Sequence, residues 1–252
     1  MSFRSTPALL TLCLLCSPVD EALADMAAFA VESGEEKVAV LELYTSEGCS
    51  SCPPADRWLS RLKDDPRLWK QIVPVAFHVD YWNYLGWRDR FADARFSKRQ
   101  GEYQQHHYLQ TVYTPGVMKN GREWRGWSYG DIPLFSHVDQ AEILKITIGD
   151  ENAGAEFLPA HRGLSRLTLN LALLGSDLST RVATGENAGK ILRHDFVVLD
   201  FQQFTQAGQD GQFHWKLPGL LKRPRQEKSA IALWVTAVGD PTPLQAAGGW
   251  LK

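Results

Sequence analysis

The chain is poor in cysteine, nearly neutral, and has no long apolar run. Of its 252 residues, 4 are cysteine and 3 are methionine. Lysine and arginine total 27 against 29 for aspartate and glutamate, a net charge of −2. Such a balance leaves no electrostatic footprint for nucleic acid or an anionic membrane. The apolar run over residues 8–16 is far shorter than the ~20 residues a membrane-spanning helix needs. There is no internal repeat and no low-complexity tract. Serine, histidine and aspartate occur without a context that supports a hydrolase. What remains is a globular composition, 44% hydrophobic and 22% charged, with 9 Trp, 7 Tyr and 11 Phe to fill a core. The length predicts one large domain or two modest ones.

The first residues read as a secretory signal peptide. Arg4 supplies a minimal basic region, residues 8–16 the apolar region, and Ala22-Leu23-Ala24 a cleavage site, with cleavage expected after Ala24. A signal anchor is the alternative. Cleavage would discard Cys13 and Cys16 and leave Cys49 and Cys52 as the mature cysteines. It predicts a secreted or periplasmic protein with no stable membrane insertion, in a compartment where a disulfide persists. A four-residue ring adds little stability on the loop-entropy account, so a purely structural role for that disulfide is physically weak.

Residues 25–36 are small and acidic and are expected to be a flexible lead-in. Residues 37–44 form an apolar run that suits a buried strand, and 72–79 form a second. Pro53 and Pro54 suit the first turn of a helix, continued by Trp58, Leu59 and Leu62. Strand, helix and strand at this spacing predict a parallel βαβ unit. Residues 89–110 read as a helical insertion. Val117-Met118, Asn120-Gly121 and Glu123-Trp124 read as strand, type I′ turn and returning strand. Beyond about residue 130, short alternating runs separated by turn signals such as Gly149-Asp150 predict strands. The expected organisation is a signal peptide over 1–24, a lead-in over 25–36, an α/β domain over 37–130, and an all-β, sandwich-like domain over 131–252.

Cys49-Ser50-Ser51-Cys52 names the chemistry. Two thiols at this spacing close a disulfide reversibly, and a helix N-terminus favours the thiolate. Cys49 is expected to attack and Cys52 to resolve. Pro53 disfavours the α region for Cys52, which would start the helix after the motif and weaken the activation of Cys49. C-x-x-C in a βαβ context is a redox signal. In the thioredoxin fold a cis-proline opens the strand facing the motif, and Thr114-Pro115 stands at that place in the order, so Pro115 is expected to be cis. Glu42, His78, Asp80 and Thr114 are candidates for proton transfer or substrate contact. For Glu42 the competing expectation is a strand-edge carboxylate facing solvent. Tyr81, Trp82, Tyr84 and Trp87 form either a substrate groove or a core wedge. The expected partner is a protein thiol or disulfide, or a small thiol. No cofactor and no metal ligand is assigned. The alternative reading is a binding protein that takes Cu(I), or another ligand, on the thiol pair with His78 or His107 and without redox turnover. A closed zinc site would need a second C-x-x-C.

Three stretches together resemble one known family. They are Leu41 to Asp56, Phe77 to Trp87, and Val112-Tyr113-Thr114-Pro115, joined by the later run Gly185 to His194. These are similar to the secreted family called domain of unknown function 1223. The resemblance runs from about residue 38 to near the end of the chain. It implies a thioredoxin-like N-terminal domain and a β-rich C-terminal domain, and supplies no reaction. Asn83 stands where that family usually has Asp, and Gly48 where thioredoxins have Trp. Gly185 to Gly189 reads most simply as a turn between strands.

Overall fold

The computed structural model describes residues 29–132, 142–148, 153–159, 164–209, 211–218 and 228–251. The signal-peptide reading, Cys13, Cys16 and the Gly149-Asp150 turn lie outside the described residues.

The strands are β1 (Phe29–Glu32), β2 (Ala39–Thr45), β3 (Ile72–His78), β4 (Gly116–Lys119), β5 (Arg122–Glu123), β6 (Leu144–Ile148) and β7 (Ala153–Phe157). They continue with β8 (Arg166–Gly175), β9 (Leu178–Arg181), β10 (Ile191–His194), β11 (Val197–Ala207), β12 (Phe213–Lys216), β13 (Ser229–Ala237) and β14 (Pro243–Trp250). The α-helices among the described residues are α1 (Pro53–Ser60) and α2 (Ala94–Gln105). Among these residues no helix is long and apolar enough to cross a membrane.

The expectation of a thioredoxin-like α/β domain followed by a sandwich-like β domain is corrected. The protein is mainly β, and strands from both halves of the chain share one eight-stranded sheet, ordered β14-β13-β8-β11-β3-β2-β4-β5. The local βαβ reading does describe β2, α1 and β3, whose strands run parallel from Ala39↔Ile72 to Thr45↔His78. It misses how the sheet is completed. Val197 of β11 pairs in parallel with Ala76 of β3, and β11 carries the sheet on into β8. Pro74 is tolerated inside β3 for a related reason. The Ala76 amide donates to the Phe196 carbonyl, so even-numbered amides point toward β11. At Pro74 that side has no ladder, and the missing N–H leaves nothing unpaired.

A second, four-stranded antiparallel sheet, β1-β6-β7-β12, packs on one face of the large one. Strand β13 shows the division by its period of two. Ile231, Leu233 and Val235 join the core under the small sheet, and Ala230, Ala232 and Trp234 join the core of the opposite face. Residues 29–32, within the expected lead-in, form a strand. Phe29-Ala30-Val31-Glu32 alternates inward and outward and forms β1, paired with β6.

Alternation along β2 also decides what surrounds the thiol pair. Glu42 and Tyr44 point toward α2, which carries Arg99 and Tyr103. Leu41, Leu43 and Thr45 point to the other face, where α1 lies. Strands β9 and β10 form a separate two-stranded sheet, an antiparallel arm pairing Ile191↔Arg181 through His194↔Leu178. The Asn120-Gly121 turn has φ of 48° and 77°, the left-handed pair a type I′ turn requires.

Candidate functional site

Cys49 and Cys52 are joined as a disulfide, with Cα atoms 5.4 Å apart. The loop that holds them is a run of tight turns. The Cys49 amide donates to the Ser46 carbonyl, and the Cys52 amide to the Cys49 carbonyl. Helix α1 starts at Pro53, and Cys52 is its N-cap residue with αR backbone angles. The Cys52 carbonyl accepts from the amides of Ala55 and Asp56 at 2.9 and 3.2 Å. Two prolines in the first turn lose no hydrogen bond, because those positions lack an intrahelical acceptor. Ser51 Oγ lies 3.3 Å from Cys49 Sγ.

The Thr114–Pro115 peptide bond is cis. Gly116, the next residue, pairs with Tyr44 near the end of β2 that leads into the motif. Trp82 ties the two together. Its indole Nε1 donates to Thr114 Oγ1 at 2.7 Å, and a Cβ on Gly48 would stand 3.1 Å from Trp82 Cβ. A residue larger than glycine at position 48 would press on Cβ of Trp82. A cavity of ≈ 370 Å³ opens beside Pro115, lined by Thr111, Tyr113, Arg125, Trp127 and Ser128. Gly126-Trp127-Ser128-Tyr129-Gly130 spells a hydrolase motif in letters only. It is a 3₁₀ turn in which Ser128 Oγ donates to the Arg125 carbonyl at 2.9 Å. A nucleophile elbow needs a strand-to-helix turn and an acid–base partner.

The other residues singled out from sequence fall into different places. Glu42 is on the sheet face opposite α1. It is neither at a solvent edge nor beside the thiols. Its carboxylate accepts from Arg99 Nε and Nη2 at 2.9 and 2.8 Å, from Tyr44 at 2.7 Å and from Tyr103 at 2.5 Å. Asp80 accepts from Ser97 Oγ of α2 and makes no bond to the motif. Thr114 receives the Trp82 indole, as described. His78 is fully buried at the end of β3, with Nδ1 2.6 Å from Asp89 Oδ2. Among the described residues, no group of three or more His, Cys, Asp or Glu is arranged to hold a metal ion.

Residues that the sequence did not single out enclose the motif. Asn187, in the loop of the β9–β10 arm, donates through Nδ2 to the carbonyls of Glu47 and Cys49 at 2.9 and 3.0 Å, and its Oδ1 accepts from Lys190 Nζ. Glu186 accepts from the Ser50 amide at 3.0 Å. Gly185 has φ of 79°, and a Cβ there would lie 3.2 Å from Trp87 Cβ, so glycine alone suits the crossing. Gly185 to Gly189 is thus a cap on the disulfide loop rather than only a turn. Together these layers leave Cys49 and Cys52 fully buried.

Beneath the motif lies a buried polar cluster. His194, from β10, has Nε2 3.5 Å from Glu47 Oε1 and Nδ1 3.8 Å from Asp56 Oδ2, and its ring centre is 5.0 Å from that of His78. Six buried atoms here have no hydrogen-bond partner: Thr45 Oγ1, Glu47 Oε1, His78 Nε2, Thr180 Oγ1 and both His194 nitrogens. Each such orphan costs ~1–3 kcal/mol relative to a satisfied group, and a cluster of them calls for an explanation. Burial raises the Asp56 carboxyl above its ordinary value, against the pull of His194 and His78. Burial and the Asp89 charge push Glu47 up, but His194, Thr180 and Trp87 outweigh them and hold it below the usual range.

His78 gives a pH prediction. Burial works against its charge, but the Asp89 carboxylate beside it prevails and raises it above 6.5. Asp89 is lowered below 3.8, chiefly by His78 against its own burial. The stabilisation from His78 is complete below 6.5 and is lost as pH rises through its folded value. That from Asp89 is complete above 3.8 and is lost as pH falls through its lowered value. Asp89→Asn should therefore cost most between about pH 4 and pH 6.5, by ~1.5–3 kcal/mol. The difference should shrink above the folded value of His78. Thermal midpoints of both proteins across pH 3–9 check this.

Comparison with known proteins gives a family and a fold. The family described as a protein of unknown function, DUF1223, matches residues 40–236. No curated protein matches the chain. A crystal structure of a protein from Agrobacterium tumefaciens is similar with a TM-score of 0.60 at 25% identity, over 86% of this chain and 95% of that one. HBP35 of Porphyromonas gingivalis has a TM-score of 0.58 at 17% identity, over 87% of this chain and 76% of its own, a likeness of fold alone.

Proposed function

The chain belongs to the DUF1223 family, whose function is unassigned, and from its own site we propose that it is an exported thiol–disulfide oxidoreductase. The observation that carries this reading is the Cys49–Cys52 disulfide at the start of α1, tied through Trp82 to the cis Thr114–Pro115 turn. Cys49 is the attacked and attacking sulfur, because it precedes the helix and lies beside the loop side chains. Cys52, inside the cap of α1, is the resolving sulfur. The four-residue ring argues in the same direction, since so short a loop is a poor staple. The cavity beside Pro115, with Tyr113 and Trp127 in its wall, suits a segment of a partner protein. Work outside the cytoplasm fits a pair that rests as a disulfide.

Exchange with a dithiol takes two steps. A substrate thiolate attacks Cys49 Sγ, the Sγ–Sγ bond breaks, and Cys52 leaves as a thiolate. The second substrate thiolate attacks its own sulfur in the mixed disulfide and releases Cys49. The substrate leaves oxidised by two electrons, the Cys49–Cys52 pair is reduced by two, and the two substrate protons pass to the two cysteines.

Turnover is the test. With dithiothreitol as reductant, the protein should accelerate reduction of insulin disulfides, read as precipitation of the free chains, at least tenfold over the uncatalysed rate. No acceleration by the folded protein would refute the reading.

A further inference from the structure

A fully buried disulfide cannot be reached by a thiolate in line with its S–S bond. Something must move, and among the described residues the β9–β10 arm is a two-stranded sheet set apart from the eight-stranded and four-stranded sheets. The arm leaves and rejoins the body through two left-handed residues, Asp177 (φ 56°) and Phe196 (φ 57°). Lys63 fixes this base by bonding both Asp177 and Asp195, with its ammonium 2.5 and 2.8 Å from their carboxylates. The far end of the arm lies on the motif through Glu186 and Asn187. The base is therefore clamped, and the tip is held by a few side-chain bonds.

The joint between arm and body is poorly matched. The inward face of the arm presents Thr180 and His194, and the body presents Thr45, Glu47 and His78. These five residues carry all six orphan atoms of the site. In the closed position His194 Nε2 and Glu47 Oε1 approach only to 3.5 Å, and none of the six atoms completes a hydrogen bond within the protein. Lifting the arm returns them to solvent and offsets part of the loss of its apolar contacts at Val182 and Leu192. Over the motif loop the closed state is held by Asn187, which satisfies two of its backbone carbonyls, and by Glu186 on the Ser50 amide; Thr184 on the Gly86 carbonyl and Arg90 on the Ser179 carbonyl hold the arm beside it.

We propose that the arm from Leu178 to His194 is a gate over the Cys49–Cys52 disulfide, latched by Asn187 and Glu186, and that a thiol substrate reacts only when the latch releases. This rests on the exchange reading for its biological use but not for its chemistry, because any thiol can report whether the disulfide is reached. Asn187 and Glu186 are positioning residues. They touch the backbone of the motif loop and control access to the sulfur.

The experiment measures the rate at which 2-mercaptoethanol and glutathione reduce Cys49–Cys52 in the whole protein, trapped by alkylation. Two molecules of either monothiol are consumed and leave as one disulfide, with two electrons and two protons passing to Cys49 and Cys52. Asn187→Ala removes the two bonds to Glu47 and Cys49 and should raise both rates about tenfold. Glu186→Ala alters one exposed contact, keeps the variant folded, and should raise them about threefold. The gain should be larger for glutathione, the bulkier reagent. That change of ratio separates a gate from a merely structural role, which would lower the thermal midpoint and leave the ratio alone. Unchanged rates and an unchanged ratio in folded Glu186→Ala and Asn187→Ala would overturn the gate. Gated reduction without insulin turnover would keep the gate and lose the oxidoreductase; turnover with rates indifferent to both variants would do the reverse.

Discussion

Cys52→Ser is expected to accumulate a mixed disulfide through Cys49, and Cys49→Ser to accumulate none. The effect is all or none because the two sulfurs have different roles. With Cys52 gone, no resolving thiolate is available and the covalent intermediate persists. With Cys49 gone, the remaining sulfur belongs to the N-cap residue of α1, the position assigned to resolution rather than attack. Non-reducing electrophoresis and intact mass of each variant after exposure to a disulfide-bearing protein check this. The opposite pattern would exchange the roles of the two residues. Adducts with neither variant would remove the chemistry. Both variants should fold, because the ring lost contains only four residues.

The second large effect lies on the other face of the sheet. Glu42→Ala should destabilise the protein by roughly 3–5 kcal/mol, because it leaves Arg99 charged, buried and without its carboxylate. The guanidinium is then enclosed by Phe77, Tyr103, Phe201 and Trp234, whose ring centres lie 5.2–5.6 Å from it. For a chain of this size that corresponds to a fall of roughly 6–20 °C in the thermal midpoint. The paired replacement Glu42→Leu with Arg99→Met should recover much of the loss, since two apolar side chains leave no charge stranded. Glu42→Gln should leave the pH profile of exchange unchanged, because the sheet separates Glu42 from α1. A shifted exchange profile in Glu42→Gln would return Glu42 to the chemistry.

The elements around the motif were legible where local rules suffice. Pro53-Pro54 marked the start of α1, Asn120-Gly121 marked a turn with two left-handed residues, and the apolar runs marked β2 and β3. Long-range pairing was not legible. Period two shows that β8, β11 and β13 have buried faces, but not that β11 continues a sheet begun by β3 about 120 residues earlier. That is why a two-domain reading arose from a chain whose halves share one sheet. Glu42 was misplaced for a related reason. Its partner Arg99 comes from a helix that reads as a polar insertion, and a buried charge is invisible until its counter-ion is placed. His194, Asp56 and Glu47 meet only because the arm folds back across the motif. The one local hint was Gly185 to Gly189, whose glycines permit the close crossing at Trp87 but do not say what is crossed.

The central claim is that Cys49–Cys52 turns over rather than staples, and its equilibrium reduction potential tests it most directly. Equilibration against glutathione and dithiothreitol redox buffers, read by alkylation and mass, gives the value. The account predicts a potential among those of catalytic dithiols, about −120 to −270 mV. A potential below about −300 mV, where structural disulfides of secreted proteins lie, would contradict it.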